Sequence, residues 1–297
     1  MEDVTDAAFR QLISRFGKSA VTFTEFTSAD GLVLAPESGR KILLKKLLYS
    51  EGERPVVAQL FTAYPDRMEA AALLCKELGF DGIDINMGCP VDDVVKTGCG
   101  AALIKNPTLA RELIRAAQKS GLPVSVKTRI GFDVDTLDEW LPELLAENLA
   151  AITLHARTRK EMSAVPAHWD AVKRAVKIRD ALGSKTLILG NGDVKDLGEA
   201  RIRATETGAD GVMLGRAIYG NPWLYSDRTE APSAQEKIEA LIEHIKLFDK
   251  LLGDTSNFAT MKKHFKAYIS GWDGAKELRI KLMETNNAEE AIALLAK

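Results

Sequence analysis

A cysteine and an asparagine lie three residues apart at the end of a short, mostly apolar run, Gly82-Ile83-Asp84-Ile85-Asn86-Met87-Gly88-Cys89-Pro90. The run reads as a buried strand that stops at Gly88-Cys89-Pro90 and delivers Asn86 and Cys89 toward the loop beyond its carboxyl end. In an α/β barrel that end carries the chemistry. A thiol of ordinary pKa, about 8.5, is mostly protonated at neutral pH and so has a proton to give. Six residues past Pro90, Lys96-Thr97-Gly98-Cys99-Gly100-Ala101-Ala102-Leu103 forms a glycine-rich turn into a helix. Other runs end on polar residues too: Gln59, Lys127, His155, Asn191-Gly192-Asp193 and Gly215-Arg216. One lysine at a strand end is an ordinary solvated terminus. A set on successive strand ends faces a common mouth. Gly190-Asn191-Gly192-Asp193-Val194 and Leu214-Gly215-Arg216 have the composition of ordinary turns, and equally that of a phosphate cradle. In a cradle, glycine allows close approach and backbone N–H groups bind the anion, and Arg216 adds a charge-assisted contact.

These residues need a frame that brings them together. Seven β-like runs, at 21–26, 55–60, 82–86, 123–127, 151–155, 186–190 and 211–214, alternate with amphipathic segments such as 66–78, 109–120, 137–148 and 167–182. Near-continuous apolar runs suit strands buried on both faces, and the alternation predicts a parallel sheet with right-handed crossovers. The fold class is therefore α/β, a TIM (β/α)8-type barrel. Eight strands close such a barrel and seven are visible. The pattern changes after Tyr225. Residues 226–233 are polar, contain Pro232 and read as a linker. Residues 234–297 carry only helical periodicity, with Ile238, Leu241, Ile242, Ile245 and Phe248 on one face. The sequence thus divides into a barrel, 1–225, and a small helical domain, 234–297.

Composition sets the class. The chain has 297 residues, 46% hydrophobic, with net charge −2. No apolar run is long enough to span a bilayer, and the acidic start, Met1-Glu2-Asp3, has no leader-like segment. Three cysteines cannot build a disulfide framework, so a reducing cytoplasm is expected. Cys75 reads as a small core hydrophobe, and Cys99, between two glycines, as a packing residue or a second mouth thiol. No His/Cys/Asp group has metal-ligand spacing, so no metal is expected. Near-neutral net charge confines any nucleic-acid contact to local basic patches.

The segment from Gly82 to Pro90, followed by Lys96 to Leu103, resembles the active site of the tRNA-dihydrouridine synthases, FMN-dependent reductases. The likeness extends over nearly the whole chain. It implies reduction of the C5=C6 bond of specific tRNA uridines, by hydride from reduced FMN to C6 with Cys89 protonating C5 as general acid. It implies that Asn86 holds the uracil edge, and that Gln59, Lys127 and His155 contact the flavin. Asn191, Gly192, Asp193, Gly215 and Arg216 would form its phosphate site, and Met1 would lie against it. In the family a segment like residues 1–10 follows an Ala-Pro pair ending the first strand, so the chain reads as lacking that strand. Thr62 stands where the family usually has glycine, and Ala156 likewise. NADPH or NADH is the implied electron donor, and no Gly-x-Gly-x-x-Gly fingerprint marks a separate dinucleotide domain. The partner is tRNA, bound by Arg129 and Arg157 near the mouth and by Lys263 and Arg279 within a basic cluster resembling the family's helical RNA-binding domain. The protein is taken as a monomer without membrane or metal partners. Two other readings stand beside this one: an FMN-barrel oxidoreductase of a small molecule, of dihydroorotate- or dihydropyrimidine-dehydrogenase type, and a non-catalytic RNA-binding remnant.

Overall fold

Eight short strands follow one another along the chain: β1 (Thr22–Phe23), β2 (Thr27–Ser28), β3 (Val56–Phe61), β4 (Gly82–Met87), β5 (Val124–Arg129), β6 (Ala151–His155), β7 (Leu187–Asn191) and β8 (Gly211–Met213). They come from a computed structural model, which describes every residue except 227 and 297. Residue 227, in the expected linker, and residue 297, at the end of the expected helical domain, lie outside the described residues. The single strand expected at 21–26 is cut down to β1, and a second short piece, β2, lies just past it. Between them Thr24 turns its hydroxyl onto the Glu25 carbonyl at 2.9 Å, and the Glu25 carboxylate accepts the Asp3 N–H. Local polar bonds of this kind compete with a ladder.

The chain forms two compact units, each discontinuous in sequence: Met1–Glu25, Lys41–Pro55 and the chain from Ala217 onward, and Phe26–Arg40 with Val56–Arg216. The second holds a parallel sheet in the order β2-β3-β4-β5-β6-β7-β8. The path is open: among the described residues β8 pairs with β7 and with no further strand. The result is a parallel half-barrel with helices around it. Its helices begin where elementary signals put them. Pro65 and Pro107 open Pro65–Glu77 and Pro107–Gln118, where proline's missing N–H is not needed.

The register explains how the sheet holds polar groups. Side chains alternate between faces. On one face lie Ile83, Ile85, Val126, Ile152 and Leu154, all fully buried. At Gly190, on the same phase, an added Cβ would fall 2.3 Å from the Trp169 ring of helix Trp169–Ala181. That phase therefore packs on helices. The opposite phase carries Gln59, Asp84, Asn86, Ser125, Lys127, Arg129, Thr153, His155 and Asn191. One face is almost wholly apolar, and the other sets these polar groups among apolar residues such as Val57 and Leu189.

Apart from β1, the regular elements of the first unit are helical among the described residues. Asp6 caps Ala7–Phe16 through the Phe9 N–H at 2.9 Å. A buried ion pair, Arg10 to Glu53 at 2.9 Å, ties that helix to the segment at 51–53. Ser233 and Glu236 form a capping box on Ala234–Leu252, whose Leu241, Ile245 and Phe248 are buried. Lys262–Tyr268, Ala275–Glu284 and Ala288–Leu295 complete it.

Candidate active site

The carboxyl ends of β3 to β8 bring the polar set together. Asn86, near the end of β4, turns its carbonyl oxygen back onto the chain. Asn86 Oδ1 accepts the N–H of Gly88 at 3.2 Å and of Cys89 at 2.9 Å. This Asx turn fixes the backbone that carries Cys89, which is 9% exposed. Asn86 Nδ2 donates to Gln59 Oε1 at 3.1 Å. An amide so engaged cannot present a full donor–acceptor edge to a pyrimidine; one N–H is left, making no hydrogen bond among the described residues. Asn86 thus supports the cysteine loop through its oxygen and keeps that N–H for a further partner.

The glycine-rich turn has a steric cause. At Gly100, with φ +60°, an added Cβ would lie 2.8 Å from the Cys89 carbonyl oxygen and 3.1 Å from its Cβ. The Ala101 N–H donates to that same carbonyl at 3.0 Å. The 98–100 turn therefore packs directly onto the cysteine, which no residue with a side chain allows. Cys99, buried at the start of this turn, is a packing residue.

Facing pairs across β3, β4 and β5 set Gln59, Asp84 and Ser125 side by side. Gln59 Nε2 donates to Asp84 Oδ2 at 2.7 Å and Ser125 Oγ to Asp84 Oδ1 at 2.6 Å. Burial raises the Asp84 carboxyl to about 6, while the Ser125 and Gln59 hydrogen bonds and the Lys127 charge restrain it. Lys127, paired in register with Asn86, is half-buried and has no hydrogen-bonded partner among the described residues. Burial and then Arg129 lower its ammonium to about 8, against the pull of Asp84 and Cys89. A cation so placed favours an anionic group beside it.

Beyond lies a cavity of about 190 Å³ lined by Pro90, Arg129, His155, Met162, Ser163 and Arg216. His155 is kept neutral. Burial, followed by the charges of Lys127, Arg129, Arg157 and Arg216, drives its imidazole down to about 2. Arg129 Nη1 approaches His155 Nδ1 at 3.5 Å, which leaves Nε2 as the protonated, donating nitrogen. Arg129 is itself a staple. It donates to the carbonyls of Gly88 at 2.8 Å, Thr158 at 3.0 Å and Met162 at 3.2 Å, joining the cysteine loop to the 158–163 loop. The expected RNA contacts Arg129 and Arg157 are therefore both buried, at 7% and 2% exposed. Arg157 donates to Val165 O and pairs with Asp193.

The expected phosphate cradle is modified in the same way. Gly192 has φ +132°, and an added Cβ would meet the Ala167 Cβ at 2.8 Å, so the protein's own packing calls for glycine there. Asn191 Nδ2 donates to Met213 O at 2.8 Å, tying β7 to β8. Burial alone would raise the Asp193 carboxyl, but Arg157, the Ala167 N–H and Arg216 hold it below its usual range. Its oxygens are engaged by Arg157, the Ala167 N–H and Arg216. Arg216, bonded to Asp193 at 2.7 Å and 66% exposed, projects into the cavity beside Gly215. Arg157 Nη1 is buried without a hydrogen-bond partner. An unpaired interior ammonium, an orphaned guanidinium N–H and an exposed arginine together suit an anionic, phosphate-bearing ring system such as FMN.

Met1 lies in the other unit, where its amino group donates to Thr5 Oγ1 at 2.6 Å. Lys263 pairs with Asp3 at 2.8 Å, and Arg279 Nη1 donates to Ile269 O at 2.7 Å. Sequence reasoning misses Asp84, Met162 and Ser163. Asp84 is visible as an acid at an alternating position inside an apolar strand. The two loop residues carry no such mark. No cluster of three metal-ligating side chains occurs among the described residues, and no helix there is long and apolar enough to cross a membrane.

A family model described as dihydrouridine synthase matches residues 1–297. The chain is 40% identical over 297 residues to a protein named "Probable tRNA-dihydrouridine synthase 2" of Bacillus subtilis (strain 168), covering 99% of this chain and 91% of that one. It is equally 40% identical to a "Probable tRNA-dihydrouridine synthase" of Staphylococcus aureus (strain COL), covering 99% and 90%. Among solved structures, histamine dehydrogenase from Rhizobium sp. 4-9 superposes with a TM-score of 0.53 at 14% identity, over 81% of this chain and 46% of that one. A 2-naphthoyl-CoA reductase complex gives 0.56 at 12%, over 73% and 46%. The chain spans under half of those two larger chains, and the likeness to them is one of fold.

Proposed function

The chain belongs to the dihydrouridine synthase family, and from that premise we propose how its own residues carry the reduction of the C5=C6 bond of tRNA uridines to dihydrouridine. The FMN site lies at the mouth of the half-barrel, within residues 1–225. Lys127 and Gln59 serve the ring, His155 and Arg216 line its pocket, and Gly215 with Arg216 takes the phosphate. FMN held there would supply, in its reduced form, the hydride for C6 of the uracil. Cys89 gives its thiol proton to C5, so the substrate gains two electrons and two protons in all, one of them with the hydride. The thiolate left behind lies within electrostatic reach of Lys127 and Arg129, and takes a proton from solvent before the next turnover. Neutral His155 donates a hydrogen bond without adding a further cation to the pocket. NADPH, or NADH, would be the source of the electrons. The target base leaves its stack to reach the mouth, as it must for any enzyme acting inside a nucleic acid. The basic helices of 234–297 hold the tRNA backbone through Lys263 and Arg279, with the exposed Lys266 and Lys276 in the same cluster.

One observation carries this reading: a cysteine held by an Asx turn beside an unpaired interior lysine, at the carboxyl end of a parallel sheet. The family match through the helical C-terminal residues disfavours a small-molecule reductase, which has no use for a basic helical appendage. The experiment is an absorbance spectrum of the purified protein, followed by NADPH oxidation with and without unmodified tRNA and mass analysis of the nucleosides. Flavin bands with tRNA-dependent dihydrouridine are expected. Flavin bands with no response to tRNA would overturn the substrate.

A further inference from the structure

Among the buried polar groups of the half-barrel, Asp84 has no part in the chemistry above, yet it ends a hydrogen-bond chain that reaches the proton donor. The chain runs from Asp84 to Gln59 at 2.7 Å, from Gln59 to Asn86 at 3.1 Å, and from Asn86 to the Cys89 N–H at 2.9 Å. Its two ends are chemically different. An ionised carboxylate only accepts, and a backbone N–H only donates. The two amides between them are each amphoteric and are mirror-ambiguous by themselves. With an acceptor at one end and a donor at the other, a single polarity satisfies every link. Gln59 turns its NH2 to Asp84 and its oxygen to Asn86. Asn86 turns its NH2 to Gln59 and its oxygen to the loop. All three side chains are buried, Asp84 completely, so water cannot repair a reversed amide at low cost.

We propose that Asp84 is a positioning residue for proton delivery, anchoring the Gln59–Asn86 relay that aims the Cys89 loop. The proposal rests on the reading of Cys89 as the proton donor. Asp84→Leu removes the acceptor and leaves the Gln59 NH2 buried with nothing to take its hydrogen bond, so the relay loses its fixed end and the Cys89 loop its support. Asp84→Asn keeps the relay. Its carbonyl oxygen accepts from Gln59, and its NH2 turns to Ser125 Oγ, which accepts and donates in turn to the Ile83 carbonyl at 3.5 Å. The conservative variant therefore retains what the leucine removes.

The test uses the full chain with its flavin, in wild type, Asp84→Leu and Asp84→Asn. It reads steady-state uridine reduction on unmodified tRNA together with hydrogen exchange of the Gly88 and Cys89 amides. Asp84→Leu should lower kcat about tenfold or more, leave the KM for tRNA unchanged, and speed exchange of both amides by a similar factor. Asp84→Asn should keep both readouts within about threefold of wild type. Wild-type kcat and exchange in Asp84→Leu, a change in one readout without the other, or an Asp84→Asn as impaired as Asp84→Leu would each overturn the proposal. Should Asp84→Leu fail to fold, Asp84→Asn decides: both readouts near wild type support the relay, and a loss in either overturns it. A wild type that reduces no tRNA uridine sinks the proposed function, whereas amide exchange still decides whether the relay exists.

Discussion

Cys89 and Lys127 sit at the ends of neighbouring strands, and the division of labour between them is testable side chain by side chain. Removing a general acid typically costs about 10²- to 10⁴-fold in rate. Cys89→Ala is therefore expected to keep its flavin bands and lose uridine reduction by that order. An unchanged turnover would take the thiol out of the reaction. In the proposed mechanism Lys127 acts through charge. Its ammonium favours the anionic reduced form of a flavin beside it, so Lys127→Met should make the two-electron midpoint potential more negative by on the order of 30 mV. A redox titration with a reference dye reads the shift, and an unmoved potential would assign the lysine to binding alone.

At the scale of the element, the sharpest demands come from turns and from one aromatic cluster. Gly100 adopts φ +60° with the Cys89 carbonyl 2.8 Å from where a Cβ would be. Gly100→Ala should destabilise the protein by about 1–3 kcal/mol in denaturant titration, with a loss of activity beyond what the remaining folded fraction explains. In the helical unit, His264 of Lys262–Tyr268 packs on Phe9 at 5.0 Å and on His244 at 4.6 Å between ring centres. Both its nitrogens are buried without partners. Burial, then the Lys263 charge, lowers it to about 4. Its neutral form is the folded form, so its contribution is intact above the unfolded value of about 6.5 and is lost as pH falls toward 4. A phenylalanine gives up no hydrogen bond there. His264→Phe should therefore gain on wild type in melting temperature as pH falls from 7 to 5, and a constant difference would show that the imidazole is not the titrating group.

On the scale of the whole molecule, the nearly neutral chain must meet a polyanion through patches. Lys266 and Lys276 are exposed and have no ion pair among the described residues, whereas Lys263 already faces Asp3 at 2.8 Å. Each phosphate contact removed lowers the dependence of log affinity on log salt by nearly one. The double substitution Lys266→Ala with Lys276→Ala should weaken tRNA binding and flatten its salt dependence by one to two, leaving flavin reduction by NADPH untouched. Binding and slope equal to wild type would move the RNA to another face. The two compact units also interleave in sequence. Residues 1–25 and 41–55 pack with the C-terminal helices, and nothing in their composition marks them off from the strands and helices that follow.

The alternation of apolar runs with amphipathic stretches was legible because strands and helices bury surface with periods that a sequence displays directly. The residues at strand ends were legible because a parallel sheet gathers its carboxyl ends at one mouth. The same periodicity fixed Cys89, Lys127 and His155 as neighbours. Whether a polar side chain is offered to a ligand or consumed by the protein could not be read that way. Asn86 bonds its own loop, Asp193 holds two arginines, and Arg129 and Arg157 are buried staples. The types of these residues suit either role, and the choice is made by partners distant in sequence. Hydrogen-bond saturation is a property of packed atoms, and only the tertiary structure decides it.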